Sequence, residues 1–347
     1  MPTAPPGQAR VRVDLGAVRA NWRRCSELAG RPAGAAIKAD AYGLGAAAVT
    51  QALVAEGCRD LFVACWHEAA MLLPLADGVR LHVLHGVAPA DLPFALEARG
   101  VQPTLNSVEQ AALWREAAPE RPCSLMVDTG INRLGVALAD AGAAAEGLNV
   151  DLLMSHFACA DEPAHPLTAA QVQRFGQLSV PARRRSIAAS AALFADAALA
   201  LDLARPGIAL YGGVVHPAAG GQLAPAVRIE AQVLQLRDVG PGDSVGYGAT
   251  WTAARPSRIA VIALGYADGY RRAFGNSGTA LVDGRACPVV GRVSMDLTAV
   301  DVTDVDPPAP AGWIEIAFDL TAAARASGLS QYELLTGLGS RLDRVYA

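Results

Sequence analysis

Ala33-Gly34-Ala35-Ala36-Ile37-Lys38-Ala39-Asp40-Ala41-Tyr42-Gly43-Leu44-Gly45 is an apolar run that ends on a lysine and opens into a glycine-rich turn. Lys38 is the sole lysine of the chain: of 29 basic residues, the other 28 are arginine. A position that needs only positive charge is served by arginine everywhere else. Lysine can also lose its proton, act as a base or form a Schiff base, which a guanidinium cannot do. A surface lysine that survived by chance is the plainer reading. The apolar run before Lys38 and the turn after it favour a lysine at the carboxyl end of a buried strand, placed for chemistry.

Working outward, short apolar runs recur at 33–38, 60–66, 80–86, 101–105, 122–127, 149–157, 184–189 and 204–210. Each is followed by a stretch that can form a helix, such as 43–57, 89–99 and 107–117, where Ser107 and Gln110 resemble a capping box. Before the first run, Asp14 can cap a helix whose Leu15, Val18 and Trp22 share one face. Eight strand–helix units in succession predict a (β/α)8 TIM barrel. A doubly wound sheet is the competitor, but Gly43-Leu44-Gly45 lacks the third glycine of a dinucleotide-binding turn. Catalytic groups of such barrels gather at the carboxyl ends of the strands. Lys38 ends the first run, Arg133 lies beyond the fifth, and His156 ends the sixth. Ser190 follows the seventh, and Arg205-Pro206-Gly207 lies in the eighth. These polar residues are expected at one mouth.

Past Gly212-Gly213 the texture changes. Val227, Ile229, Ala231 and Val233 alternate, then Leu234 and Leu236 switch phase, as at a β-bulge. Turn signals at 239–243, Asp283-Gly284 and 306–308 separate β-rich runs at 258–264, 279–282, 286–293 and 297–302. The expected organisation is α/β: a barrel over 1–222 and a mainly β C-terminal domain over 223–347, with strand 9–13 a candidate to pair with the second.

Hydrophobic content of 52% excludes a disordered chain, and a net charge of −4 without a basic stripe argues against a nucleic-acid partner. Arg183-Arg184-Arg185 reads as a solvated strand start. The six cysteines form no C-x-x-C pair, so they read as free thiols in a reducing cytoplasm, with no metal site expected. No leader is read in Met1–Gly7, and no apolar run reaches membrane-spanning length.

Seven stretches, in order, resemble the alanine racemase family. They are Ile37-Lys38-Ala39-Asp40-Ala41-Tyr42-Gly43, Val127-Asp128-Thr129-Gly130-Ile131-Asn132-Arg133-Leu134-Gly135, Ser155-His156-Phe157-Ala158-Cys159-Ala160, and Arg205-Pro206-Gly207-Ile208-Ala209-Leu210-Tyr211-Gly212. The remaining three are Val245-Gly246-Tyr247-Gly248-Ala249-Thr250-Trp251, Leu264-Gly265-Tyr266-Ala267-Asp268-Gly269 and Gly291-Arg292-Val293-Ser294-Met295-Asp296. The resemblance runs from Val13 nearly to Tyr346.

The resemblance implies a pyridoxal 5'-phosphate enzyme that interconverts L- and D-alanine, supplying cell-wall precursor synthesis or alanine catabolism. It implies that Lys38 holds the cofactor through its amine and serves the D enantiomer as acid–base group. Tyr247, contributed by the other subunit of a homodimer, would serve the L enantiomer from the opposite face. His156 and Arg205 would form the surrounding network, with Arg205 against the pyridine nitrogen. Arginine only donates, so that nitrogen would stay unprotonated and the ring would be a restrained electron sink. Tyr42, Ser190 and the backbone of Gly207 and Ile208 would take the phosphate. Arg133, Tyr266 and Met295 would line the substrate side.

The chain departs from the family pattern at four positions. Met126 stands where many relatives carry a carbamylated lysine, so Arg133 lacks that negative partner. Ala189 replaces a common asparagine, Ser294 a common cysteine, and Ser340 a tyrosine that some relatives direct to the phosphate. Three other readings stay open at this point: a racemase of broader specificity, a basic amino-acid decarboxylase, and a non-catalytic pyridoxal-phosphate carrier. The segment 246–250 disfavours the decarboxylase, and the second domain disfavours the carrier.

Overall fold

The protein, represented by a computed structural model, is described over residues 6–347. Met1–Pro5, read above as part of a start without a leader, lie outside the described residues. Two compact units divide the described residues: Leu15–Ala224 forms one, and residues 6–14 join Pro225–Ala347 in the other.

The chain opens with β1 (Ala9–Val13), whose alternate residues are buried. The first unit then lays down seven parallel strands in sequence order. They are β2 (Ala35–Ala36), β3 (Asp60–Val63), β4 (Arg80–Val83), β5 (Val101–Leu105), β6 (Pro122–Met126), β7 (Asn149–Met154) and β8 (Arg184–Ser186). Helices follow the strands, as parallel pairing requires. The eighth apolar run departs from expectation in form. Residues 202–206 are not a regular strand, yet Asp202 and Arg205 donate backbone bonds to Arg185 and Ala188 at 3.0 and 2.9 Å. On the other side Gly34 and Ala36 donate to Ala204 and Pro206 at 2.9 Å. This segment therefore closes the barrel between β8 and β2. Pro206 has no N–H to extend the ladder, and the chain turns at Gly207 into a 3-10 turn, Ile208–Tyr211.

Phe62, Leu152, Met154 and Leu203 fill one part of the core, and Ala36, Leu84 and Met126 pack against them. Met126 is thus an apolar filler of this core. At helix Val108–Ala117, Ser107 accepts the Gln110 N–H, but the Gln110 side chain accepts from Asn106 at 2.8 Å rather than from Ser107, so the capping box is half made.

The amino ends of the barrel strands carry a charged cluster. Asp60 receives two bonds from Arg80, both 2.8 Å, and two from Arg184, 2.9 and 3.0 Å. His82 Nε2 adds a contact at 3.0 Å, and Arg184 also reaches Asp151 at 2.6 Å. Arg184 is therefore no solvated strand start: its side chain is 21% exposed and ties β3, β7 and β8. Ser124 Oγ lies 2.9 Å from His82 Nδ1. Ser124, His82 and Asp60 thus have the composition of a hydrolytic triad, but Ser124 and His82 are both 0% exposed, so no substrate meets them.

Burial alone would raise the Asp60 pKa, but the bonds from Arg80, His82 and Arg184 overcome it and hold the carboxyl well below the usual range. Asp60→Asn is expected to destabilise the protein by about 3 kcal/mol at pH 7, the low end for a broken buried pair because Arg184 keeps Asp151. A depressed carboxyl contributes stability above its unfolded pKa of about 3.9 and loses it as pH falls toward its folded value. The wild-type advantage in urea midpoint should therefore narrow between pH 5 and pH 3. An unchanged gap would show that charge is not its source.

In the second unit an eight-stranded sheet is built on β9 (Val227–Val239). β10 (Ser244–Val245) and β11 (Trp251–Thr252) form a separate ribbon. The large sheet adds β12 (Ser257–Ile262), β13 (Thr279–Val282), β14 (Arg285–Val290), β15 (Thr298–Asp301), β16 (Trp313–Ile316) and β17 (Asp343–Tyr346). β1 lies between β9 and β17, antiparallel to the first and parallel to the second. Against β12 the register of β9 jumps from Gln235 to Val233, leaving Leu234 unopposed at the expected bulge. Asp283 and Gly284 join β13 to β14 with φ of 48° and 78°, the positive pair that a two-residue hairpin turn demands.

Candidate active site

Lys38 follows Ile37, whose N–H bonds Phe62 O at 3.0 Å beside the end of β2. The next four residues form a left-handed turn: Ala39, Asp40, Ala41 and Tyr42 have φ of 53°, 53°, 53° and 60°. For residues with a Cβ this costs about 1–2 kcal/mol each, so neighbouring groups must hold it. Glu68 does so at the start, accepting the Ala39 N–H at 2.8 Å and the Ala64 N–H at 2.7 Å. Asp40 Oδ1 fixes the exit by accepting the Ala46 N–H at 2.7 Å. Strain of this kind collects at functional sites. Burial and then the Arg133 charge lower the Lys38 pKa from its ordinary value, with Glu68 opposing them.

Arg133 stands on the loop after β6. Asp128 Oδ1 gathers the N–H groups of Gly130, Ile131 and Asn132 at 2.8, 3.0 and 3.2 Å, and Val127 pairs with Val136 to close the loop. His156 follows β7. Burial, then the charges of Arg205, Arg133 and Lys38, lower its pKa to about 3, so its imidazole is neutral. Lys38, Arg133 and Arg205 are thus near enough for their charges to act on His156. Arg205 is buried, with its guanidinium bonded to Ser186 Oγ and, at 2.7 Å, to Ser155 O. Its Cζ lies 5.9 Å from the Phe62 ring centre. Burial lowers its pKa to about 10, which leaves it charged at neutral pH.

A small cradle lies beside this group. Ser190 Oγ accepts the N–H groups of Gly207 at 2.9 Å and Ala209 at 3.2 Å. Both of its lone pairs are thereby used, and its O–H is left to donate. A Cβ added to Gly207 would lie 2.2 Å from Tyr42 Oη, so only glycine lets that hydroxyl approach. Among the described residues, the Ile208 N–H has no partner. Ser190 Oγ and Tyr42 Oη thus both lie against Gly207, with the Ile208 N–H on the next residue. The Gly207 N–H, expected to face a ligand, is spent on Ser190.

Tyr247, Tyr266 and Met295 lie in the other unit and are 71%, 39% and 54% exposed. Tyr266 N–H donates to Ser294 O at 3.0 Å and Ala267 N–H to Met295 O at 2.9 Å, so two of these side chains stand on loops laced together. Gly265 permits this approach, since a Cβ there would meet Met295 O at 2.2 Å. Ser294 Oγ closes its own turn on Leu297. Ser340 is exposed in this unit.

Residues 13–215 match the family profile described as alanine racemase, N-terminal domain, and residues 226–346 match alanine racemase, C-terminal domain. An alanine racemase of Acidiphilium cryptum is 43% identical, over 96% of this chain and 97% of its own length. One from Agrobacterium fabrum, named biosynthetic, is 40% identical over 97% and 93%. The structure resembles that of alanine racemase from Bartonella henselae with covalently bound pyridoxal phosphate, with a TM-score of 0.87 and 33% identity over 99% of this chain and 100% of that one. With both domain profiles matched in order and relatives above 40% identity along nearly the whole length, the chain belongs to the alanine racemase family.

Proposed function

We propose that this protein interconverts L- and D-alanine with pyridoxal 5'-phosphate, using Lys38 and Tyr247 as acid–base groups on opposite faces of the substrate. One observation carries the cofactor: Ser190 has both lone pairs filled and a hydroxyl proton left over, next to a glycine that a Cβ would close. Ser190, Tyr42 and the Ile208 N–H would take the phosphate oxygens, with Gly207 shaping the turn through its bond to Ser190. Lys38 would hold the cofactor through its amine. When bound, the cofactor delocalises the electron pair left behind as the α-proton departs.

Lys38 takes the proton from D-alanine and returns it when the reaction runs the other way. Its pKa, lowered by burial and Arg133, favours the neutral amine that such a role requires. Arg205 stays charged and would donate toward the ring nitrogen, while neutral His156 adds no second positive charge beside it. Arg133 takes the substrate carboxylate, and Met126 supplies no anion to compete for its guanidinium. Tyr266 and Met295 border the methyl group.

Tyr247 acts across a homodimer, each active site drawing on both subunits. Its 71% exposure within its own chain agrees with a side chain that is completed by a partner. The enzyme works in the cytoplasm and supplies D-alanine as a peptidoglycan precursor. All six cysteines are unpaired, as a reducing compartment requires, and no helix among the described residues is long and apolar enough to cross a membrane.

The test is a proton NMR time course of L-alanine in D2O with the loaded enzyme, followed by chiral analysis of the same sample. Loss of the α-proton signal with appearance of D-alanine is expected. A persistent signal would remove alanine as the substrate.

A further inference from the structure

We propose that Gln171 is a positioning residue that holds the Arg133 loop and the His156 segment in fixed register from behind the active site. It projects from helix Pro166–Gly176, follows no strand end, and is 0% exposed. Its Nε2 donates to Thr129 Oγ1 at 3.1 Å and to His156 O at 2.9 Å, and its Oε1 accepts the Ala158 N–H at 2.9 Å. The backbone partners fix the amide orientation, because a flipped amide would set N–H against N–H at Ala158. One side chain thereby joins the loop after β6 to the segment after β7. Thr129 lies four residues before Arg133 and shares a 2.7 Å bond with Ser155 Oγ. Ser155 O in turn receives Arg205 at 2.7 Å. Arg174, three residues further along the helix, donates to Thr129 O at 2.8 Å and steadies the same residue. The placements of Arg133, His156 and Arg205 therefore share Gln171 and Thr129 as support.

A buried glutamine could serve stability alone, so the test separates stability from substrate placement. It rests on Arg133 as the carboxylate contact. Propionate, a carboxylate without the amine, reports that contact directly. In Gln171→Glu the carboxylate still accepts from Ala158 but cannot donate to Thr129, and it repels His156 O. A displacement of the order of 1 Å costs up to about a hundredfold, so the propionate Ki and the alanine KM of the holoenzyme should rise between about tenfold and a hundredfold. Thr129→Val, which keeps the branched shape and removes the hydroxyl, should move both in the same direction, and it carries the test if Gln171→Glu does not fold. Thr168→Val is the control. Thr168 lies on the same helix and donates to Cys159 O at 3.2 Å, so its loss perturbs packing near the site without touching Thr129. It should lower the melting temperature and leave Ki and KM unchanged. If Gln171→Glu and Thr129→Val also lower only the melting temperature, the positioning role is overturned. A wild-type holoenzyme that neither racemises alanine nor binds propionate would instead overturn the proposed function.

Discussion

Replacing Lys38 with arginine is expected to reduce racemisation by at least about 10⁴-fold while leaving a folded protein. The substitution brings in a side chain close to lysine in length and shape of stem, and Lys38 is only half-buried, so packing should survive. It removes the one property that arginine lacks, an amine that can lose its proton and bond covalently to a carbonyl carbon. Glu68 and Asp40 hold the left-handed turn through backbone N–H groups, which the substitution does not touch. Circular dichroism should therefore match wild type. Borohydride should no longer fix the cofactor to the chain, which gives a readout independent of turnover. Racemisation within tenfold of wild type would show that Lys38 is not the base. Loss of activity with borohydride fixation intact would place the covalent link elsewhere.

Lys38 was legible because it is chemically singular in a chain of arginines. The strand ends that bear Arg133 and His156 were legible for a different reason: parallel strands of even spacing leave their loops at one mouth. What the sequence hid depends on long-range contact. Arg184 reads as a surface charge until Asp60 and Asp151, distant in the chain, are seen to bury it. Segment 202–206 has the apolar character of a strand, but Pro206 and Gly207 stop a regular ladder, so it closes the barrel with only four backbone bonds. The turn at Ala39–Tyr42 carries no glycine within it, and nothing local announces positive φ at two alanines, an aspartate and a tyrosine. Glu68 gave a faint signal, an acid in the first turn of a helix after a strand. Gln171 gave none, since a single amide on a helix has no periodicity. Tyr247 is an ordinary strand-region aromatic without the family resemblance, whereas the phase switch at Leu234 was visible because burial on a strand has period two.

Tyr247→Phe should lower racemisation by about 10²–10⁴-fold, the usual range for loss of one acid–base group. It removes a single hydroxyl from a side chain that is 71% exposed, so the fold should be unaffected. Both directions must fall equally, because the two enantiomers have equal free energy and the equilibrium cannot move. Proton exchange need not fall equally. D-alanine in D2O should still lose its α-proton through Lys38 while forming little L-alanine, and L-alanine should keep its proton. Exchange of L-alanine at the wild-type rate would exclude Tyr247 as the base for that face. The same pair of variants tests the homodimer. Suppose one subunit carries Lys38→Arg and the other Tyr247→Phe. If each site takes its lysine from one chain and its tyrosine from the other, a mixed dimer has one site with both substitutions and one with neither. Random exchange makes about half the dimers mixed, so two nearly inactive preparations should regain about a quarter of wild-type activity on mixing. If each site were built within one chain, every site would carry a substitution and mixing would restore nothing.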